Sequence, residues 1–162
     1  MHNMTTAKLQ WIIGAFIVVS VMLSCSKDSD TVDTEYPEID LAWADAFPIQ
    51  CSTIGRGETL VFRARFSDNV ALGSYSLDIH HNFDHHTHTT EVNDCGLDPV
   101  KVPEKPLLYI KSFDIHGHPT AYEANLEIDV PGDVDPGDYH FMIRVTDREG
   151  WQTMNGLSIK VQ

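Results

Sequence analysis

Apolar and polar residues alternate along much of this chain, and this period of two constrains the fold more than any other feature of the sequence. Phe62, Ala64 and Phe66 alternate with two arginines, and the segment Tyr75–Ile79 alternates in the same way. Successive side chains of a β-strand point to opposite faces of a sheet, so the pattern is typical of strands with one buried face. No segment from residue 36 onward shows a convincing amphipathic helical pattern. The sequence therefore predicts an all-β protein.

The segments with this pattern are separated by clusters of Gly, Pro, Asn and Asp, which favour turns. The predicted strands cover residues 59–66, 75–79, 107–115, 124–130, 139–145 and 157–161. About seven short strands in one domain predict an antiparallel β-sandwich. Residues 36–162 are numerous enough for a single domain with its own core.

The first 24 residues have the features of a signal peptide. Residues 11–23 carry no charge, and as a helix they would extend about 20 Å, which is shorter than the ~30 Å hydrocarbon core of a bilayer. The apolar run ends in Met22-Leu23-Ser24-Cys25. This ending resembles the lipobox of bacterial lipoproteins, in which the cysteine becomes the lipidated first residue. The alternative is an ordinary secreted protein in which Cys25 has no such role.

Residues 25–35 are polar and acidic, so they cannot bury enough apolar surface to offset the entropy of ordering. We expect a flexible tether that joins lipidated Cys25 to the domain over residues 36–162. An acidic run at this position also resembles the export signal that sends Bacteroidota lipoproteins to the outer face of the outer membrane. The expected location is the bacterial outer membrane, reached through a lipid anchor, with an envelope protein as a candidate partner.

The charge balance of the chain is strongly acidic, with a formal net charge of −13 at pH 7 from 24 acidic and 11 basic residues. Nucleic-acid binding needs a positive surface, and the sequence has no basic stripe that would supply one. A negative surface attracts cations instead. These numbers exclude nucleic acid as an expected partner.

Two cysteines remain if Cys25 carries lipid, and they are Cys51 and Cys95. Disulfides persist in an oxidising compartment such as the cell envelope, so we expect these two residues to pair. The alternative is that both serve as thiolate ligands of a metal.

Two segments are typical of bacterial β-sandwich domains. Asp135–Trp151, which reads DPGDYHFMIRVTDREGW, resembles the final hairpin of bacterial immunoglobulin-like and fibronectin-like domains, and Ser67–Leu72 resembles the same domains. With the lipoprotein leader and a histidine-rich segment, the whole chain resembles a family of Bacteroidota lipoproteins known only as a domain of unknown function. The resemblance implies an immunoglobulin-like antiparallel β-sandwich of about seven strands with a long His-rich loop. It implies no activity.

The segment IHHNFDHHTH at residues 79–88 contains five of the nine histidines of the chain. Neutral imidazole binds zinc or copper, and a tetrahedral site needs three or four ligands that arrive from different directions. Adjacent residues alone cannot supply them, so distant histidines must join the local run. The candidate metal ligands are His80, His81, Asp84, His85, His86, His88, His116, His118 and His140.

The expected sandwich brings some of these residues together. Its third and sixth strands are antiparallel neighbours, so His80 and His140 should share one face and one end of the domain, with Asp78 paired to Arg144. His116 and His118 follow another strand and are expected to converge on the same loop.

Within the run, His80 and His81 point to opposite faces, so at most one of them should join a given site. His86 and His88 can form a two-ligand clip, and Asp84 could either ligate the metal or orient a histidine.

Other interpretations of the same residues stay open. The histidines could form a pH-responsive or simply solvated loop. A calcium site is less favoured, because its spacing does not fit an EF-hand and turns are naturally rich in Asp; its ligands would be Asp129, Asp133, Asp135 and Asp138. Scattered aromatic residues could stack on a sugar, although in a sandwich they more often pack at the core or edge; they are Tyr36, Trp43 and Trp151.

Three functions fit these observations to different degrees. The leading hypothesis is a lipid-anchored binding module of the cell envelope that captures zinc or copper through its histidines. The alternative is a structural or adhesive surface lipoprotein that binds a protein or glycan, with the histidines incidental. A metalloenzyme is suggested only by analogy with copper/zinc superoxide dismutase, another histidine-rich β-sandwich. The chain contains neither H-E-x-x-H nor G-x-S-x-G, so we predict no enzyme activity.

The lipobox-like sequence predicts that the mature protein begins at an acylated Cys25 and stays with membranes. Cys25→Ala removes the acylation site, so the variant is expected to move to the soluble fraction. Membrane fractionation of cells that express each form measures the change. Retention of the variant in membranes to the same extent as wild type would count against lipidation.

Overall fold

The computed structural model describes residues 32–88 and 95–162, and in these residues the backbone forms eight β-strands and no helix. The strands are β1 (Glu38–Asp40), β2 (Thr53–Ile54), β3 (Thr59–Ser67), β4 (Leu72–His81), β5 (Tyr109–Asp114), β6 (Ala121–Asp129), β7 (Gly137–Asp147) and β8 (Gln152–Val161). Within these ranges, no helix is long and apolar enough to cross a membrane. The predicted all-β class is confirmed. The signal peptide, Cys25 and most of the predicted tether lie outside the described residues.

The strands form two sheets, as expected for a β-sandwich. One sheet has the order β1-β3-β6, and the other has the order β2-β8-β7-β4-β5. All pairings are antiparallel except the short parallel pairing of β2 with β8. The sequence did not predict β1 and β2, because three and two residues are too few to show a period of two. The immunoglobulin-like strand arrangement stays a prediction.

The core lies between the two sheets and consists of the apolar faces that the alternation predicted. Phe62, Ala64 and Phe66 of β3 are almost fully buried. The ring of Phe62 stacks on that of Phe141 from β7, with 5.7 Å between the centroids, which joins the two sheets directly. The opposite face of the five-stranded sheet, called the outer face here, carries Asp78, His80, His140 and Met142.

The predicted strand 107–115 extends past both ends of β5, because residues just outside this strand are also buried. Leu107 is buried, yet its amide donates to the hydroxyl of Tyr139 (3.1 Å) rather than to a neighbouring strand. Ile115 is also buried, and its amide donates to the carbonyl of Gly73 beyond the end of β5. Burial without strand pairing produces the same apolar pattern in the sequence as a strand end.

The pairing of β4 with β7 positions the histidines. His80 lies directly opposite His140 in this antiparallel register, so the predicted convergence of these two residues is confirmed. The predicted pair of Asp78 with Arg144 is wrong: Arg144 lies opposite Ser76, and Asp78 lies opposite Met142. The carboxylate of Asp78 instead contacts the ring of His80 on its own strand.

A disulfide joins Cys51 to Cys95, as the sequence predicted. Their Cα atoms are 5.5 Å apart. The bridge ties the segment before β2 to the segment that follows the histidine-rich run.

Replacement of both Cys51 and Cys95 by alanine is expected to lower the free energy of unfolding by about 4 kcal/mol, because the bridge spans 44 residues and restricts the unfolded chain. Urea denaturation of both forms measures the difference, after mass mapping of non-reduced peptides has verified the bridge in wild type. Equal unfolding midpoints would show that the bridge contributes nothing to stability.

Candidate metal centre

Four histidines meet on the outer face, where β4 ends and β7 begins. His80 comes from β4, His140 comes from β7, and His86 and His88 come from the loop after β4. One ring nitrogen from each of the four lies within 4.8 Å of the corresponding nitrogens of the others. We call these residues the histidine quartet.

A tight turn brings the loop back over the sheet. The amide of Asn82 donates to the carbonyl of Asp138 (2.8 Å), and the amide of His85 donates to the carbonyl of Asn82 (3.3 Å). His85 has a φ of 57°, a left-handed conformation that reverses the chain direction after the turn. Residues 86–88 are thereby returned towards β4 and β7.

His140 is fully buried although it lies on the outer face. Its Nε2 lies 3.1 Å from the carbonyl oxygen of His86, so the ring donates a hydrogen bond to the loop that covers it. A neutral imidazole that donates from Nε2 carries its lone pair on Nδ1. Nδ1 is therefore the nitrogen of His140 that suits a metal ion.

Two carboxylates orient two of the other rings. Asp78 Oδ1 lies 2.8 Å from Nδ1 of His80, and Asp84 Oδ1 lies 2.6 Å from Nδ1 of His86. The hydrogen bond from His86 is the largest cause of a lowered pKa for Asp84, so this carboxylate is ionised at neutral pH. Each aspartate holds a proton on Nδ1 and leaves Nε2 with a lone pair, which is the usual arrangement of metal-binding histidines. Asp84 thus lies where it orients His86, one of the two roles considered for it.

The nitrogens of His80 and His88 are already close to the spacing of a metal site. Their Nε2 atoms are 3.1 Å apart. Two nitrogens that bind one zinc ion at about 2.05 Å with tetrahedral angles are about 3.3 Å apart. A hydrogen bond between the two nitrogens, or a cation that both bind, accounts for this distance.

The four rings are arranged as a tetrahedron rather than a square. The six distances between ring centroids run from 4.7 to 5.6 Å, a ratio of about 1.2. In a square, the diagonals exceed the sides by a factor of about 1.4, as expected for ligands of a square-planar metal. The quartet therefore fits an ion that prefers tetrahedral coordination.

A groove on the outer face gives solvent access to the quartet. It is lined by His80, His88, Met142, Arg144 and Met154, among others. The side chains of His80 and His86 are 21% and 36% exposed to solvent, whereas His140 is fully buried on the protein side of the site. An ion can thus reach the quartet without unfolding of the sandwich.

Two histidines of the run do not belong to the quartet. The ring of His81 packs on Phe83 with 5.0 Å between the centroids, and its Nδ1 is buried without a hydrogen-bond partner among the described residues. The Nε2 of His85 lies 2.8 Å from the carbonyl oxygen of Asp98. His80 and His81 diverge as two neighbours on a strand must.

The expectation that His116 and His118 converge on the loop is wrong. β5 runs antiparallel to β4, with Asp114 opposite Ser74, so the residues that follow β5 lie where β4 begins. Nδ1 of His118 is 3.1 Å from the carbonyl oxygen of Leu72. Eight residues of strand, or roughly 26 Å, separate Leu72 from His80.

The acidic turn residues considered for calcium make separate contacts instead. Asp129 accepts from Thr59, Asp133 pairs with Lys105, Asp135 accepts from the amides of Glu104 and Lys105, and Asp138 accepts from the amide of Asp98. In the part of the chain that the structure describes, these four carboxylates do not form a group that could hold one ion.

The aromatic residues considered for sugar binding do not form one surface. The guanidinium of Arg65 lies 4.0 Å from the centre of the Trp43 ring. Tyr36 meets Trp151 edge to face, with 4.9 Å between the centroids. Among the described residues, no ring contact joins Trp43 to Tyr36 or Trp151.

Comparison with known proteins shows the family of the chain. Residues 23–162 match the family described as Domain of unknown function (DUF4625), and the chain belongs to this family. The predicted resemblance to a family of unknown function is confirmed to this extent. No curated protein matches the sequence.

The hydrogen bonds of the quartet predict its tautomers in the metal-free protein at neutral pH. We expect Nδ1–H for His80 and His86, because each faces a carboxylate there, and Nε2–H for His140, because it faces a carbonyl oxygen. Two-bond proton–nitrogen correlation spectra of labelled protein distinguish the two forms. A His140 ring protonated on Nδ1 would contradict this geometry.

Proposed function

We propose that this member of the DUF4625 family is a lipid-anchored protein of the bacterial cell envelope that binds Zn²⁺ through the histidine quartet and catalyses no reaction. The observation that carries the proposal is the meeting of four imidazoles from two strands and one loop, with one nitrogen of each within 4.8 Å of the others. Carboxylates orient two of these rings. A loop that is merely solvated would not require four convergent imidazoles or carboxylates that orient two of them.

The near-equal distances between the four rings favour zinc over Cu²⁺. Zinc has no geometric preference from d-electrons and adopts tetrahedral coordination in structural sites, whereas Cu²⁺ prefers tetragonal sites. Neutral imidazole is a common zinc ligand, and the carboxylates of Asp78 and Asp84 would hold the rings of His80 and His86 in a fixed orientation.

The number of ligands supports binding rather than catalysis. Catalytic zinc sites usually keep three protein ligands and an open position for water or substrate. Four histidines would fill a tetrahedral shell. Bound zinc would therefore join the loop to β4 and β7, and the ion would be held rather than used as a Lewis acid.

The sequence supports the proposed location and the attraction of cations to the domain. The lipobox-like Met22–Cys25 and the acidic segment that follows are the features of a lipoprotein exported to the outer membrane. The net charge of −13 would concentrate cations near the domain. An envelope protein that donates or accepts the ion is the proposed partner.

Reduced copper is the second candidate metal, and a specific observation favours it. Met142 and Met154 line the groove beside His80 and His88. Thioethers are soft ligands that select Cu⁺, so a copper ion could pass from the groove to the quartet. Met142→Leu would weaken Cu⁺ binding under this alternative and leave zinc binding unchanged.

The zinc proposal predicts tight binding of one ion by untagged wild-type protein at pH 7.5 and little binding at pH 5, because protons compete for the imidazole nitrogens. His140→Ala and His88→Ala should each weaken zinc binding by at least about tenfold. Mutation of a residue that only orients a ligand typically lowers metal affinity 10–100-fold, and loss of the ligand itself should cost at least as much. His116→Ala is the matched control, because His116 is exposed and lies beyond β5. Isothermal titration with zinc measures each affinity.

Circular dichroism of each variant establishes that it is folded, and His88→Ala decides the matter if the buried His140 proves essential for folding. No binding by wild type at micromolar zinc or copper would overturn metal binding and favour the structural or adhesive alternative. Wild-type affinity in both quartet variants would overturn the quartet as the site.

A further inference from the structure

A second group of potential ligands lies at the other end of β7, and its chemistry differs from that of the quartet. Asp147 ends β7, Glu149 follows in the turn to β8, and Asp33 lies at the start of the described chain. One carboxylate oxygen from each of the three lies within 4.8 Å of those of the others. Asp147 is seven residues, or roughly 23 Å, along β7 from His140.

Two of these carboxylates are buried and only half satisfied. Asp33 and Asp147 are 5% and 4% exposed. Oδ1 of Asp33 accepts from the amide of Glu35 and from Nδ2 of Asn69, both at 3.0 Å. Oδ1 of Asp147 accepts from the amides of Gly150 (2.6 Å) and Trp151 (2.8 Å). Oδ2 of each is buried without a hydrogen-bond partner among the described residues.

Three carboxylates that lie this close together favour a cation between them. Ionised carboxylates repel each other at such distances, and a bound cation replaces this repulsion by attraction. Within residues 32–88 and 95–162, no lysine or arginine forms an ion pair with Asp33, Asp147 or Glu149. The hydrogen bond from the Glu35 amide is the largest cause of a lowered pKa for Asp33, so this carboxyl remains charged.

We propose that Asp33, Asp147 and Glu149 form a Ca²⁺ site, with the buried Oδ2 atoms of the two aspartates directed at the ion. Ca²⁺ binds six to eight oxygen atoms at about 2.4 Å, so two oxygens on one ion are at most about 4.8 Å apart. The three carboxylates meet this limit. Backbone carbonyls and water supply the remaining ligands. Zinc and copper prefer the nitrogen ligands of the quartet, so the two sites select different ions.

The ion would reinforce existing contacts between the start of the described chain and the β7–β8 turn. Nε1 of Trp151 donates to the carbonyl oxygen of Asp33 (3.0 Å), and the Trp151 ring meets Tyr36. Calcium would add bonds from Asp33 to Asp147 and Glu149 across the same contact. Because these ligands come together only in the folded domain, calcium binding stabilises the folded state.

Thermal unfolding of untagged protein tests the site, with the metal removed by chelation and CaCl₂ then added to 10 mM. Wild type should gain roughly 5–10 °C in melting temperature if calcium reaches 10 to 100 times its dissociation constant. Asp147→Asn and Glu149→Gln should lose most of this gain. Asparagine keeps the Oδ1 acceptor for Gly150 and Trp151, and Glu149 is exposed, so neither change removes a turn contact.

Glu127→Gln is the matched control, because it removes the same charge from an exposed position on β6. This variant and His88→Ala should respond to calcium as wild type does. A wild-type protein without a calcium-dependent shift would overturn the proposal, as would an undiminished shift in Glu149→Gln. If Asp147→Asn fails to fold, Glu149→Gln alone decides the outcome. Loss of the response in His88→Ala would place calcium at the quartet and would also overturn the proposal.

Discussion

The antiparallel pairing of β4 with β7 is the interaction on which the rest of the structure depends. It places His80 opposite His140 on the outer face while Ile79 and Phe141 remain in the core. A shift of the register by one residue would turn each apolar side chain out and each histidine in, so burial of the core fixes the position of the metal ligands. The loop that carries His86 and His88 then covers His140 and accepts its hydrogen bond.

Sequence reasoning predicted those parts of the site that follow from strand periodicity. Alternation of side chains predicted the shared face of His80 and His140, and the two-residue spacing of His86 and His88 predicted that they act together. The turn at Asn82–His85 could not be predicted, because it depends on a left-handed His85 and on a hydrogen bond from Asn82 to Asp138. His116 and His118 were misplaced because the sequence does not reveal the direction in which β5 pairs with β4. Asp78 was paired with the wrong residue because the antiparallel register that places His80 opposite His140 also places Asp78 opposite Met142, two residues before Arg144.

The two proposed cation sites share one strand and differ in ligand chemistry. β7 supplies His140 near its first residue and Asp147 at its last, and the intervening side chains alternate between the core and the outer face. Nitrogen ligands at one end suit a transition metal, and carboxylates at the other end suit calcium. The sequence suggested calcium at other acidic residues, because the carboxylates of Asp33 and Asp147 are far apart in the chain and meet only in the folded domain. Each ion would join an irregular segment to the rigid strand, so metal binding and the order of these segments are coupled.

The central claim is that four histidines surround one metal ion, and X-ray absorption at the zinc edge of zinc-loaded, untagged protein tests it most directly. Four imidazole nitrogens at about 2.0 Å, with the outer-shell scattering of four rings, are predicted for the quartet. A first shell composed mainly of oxygen, with scattering from at most one or two imidazoles, would contradict the account.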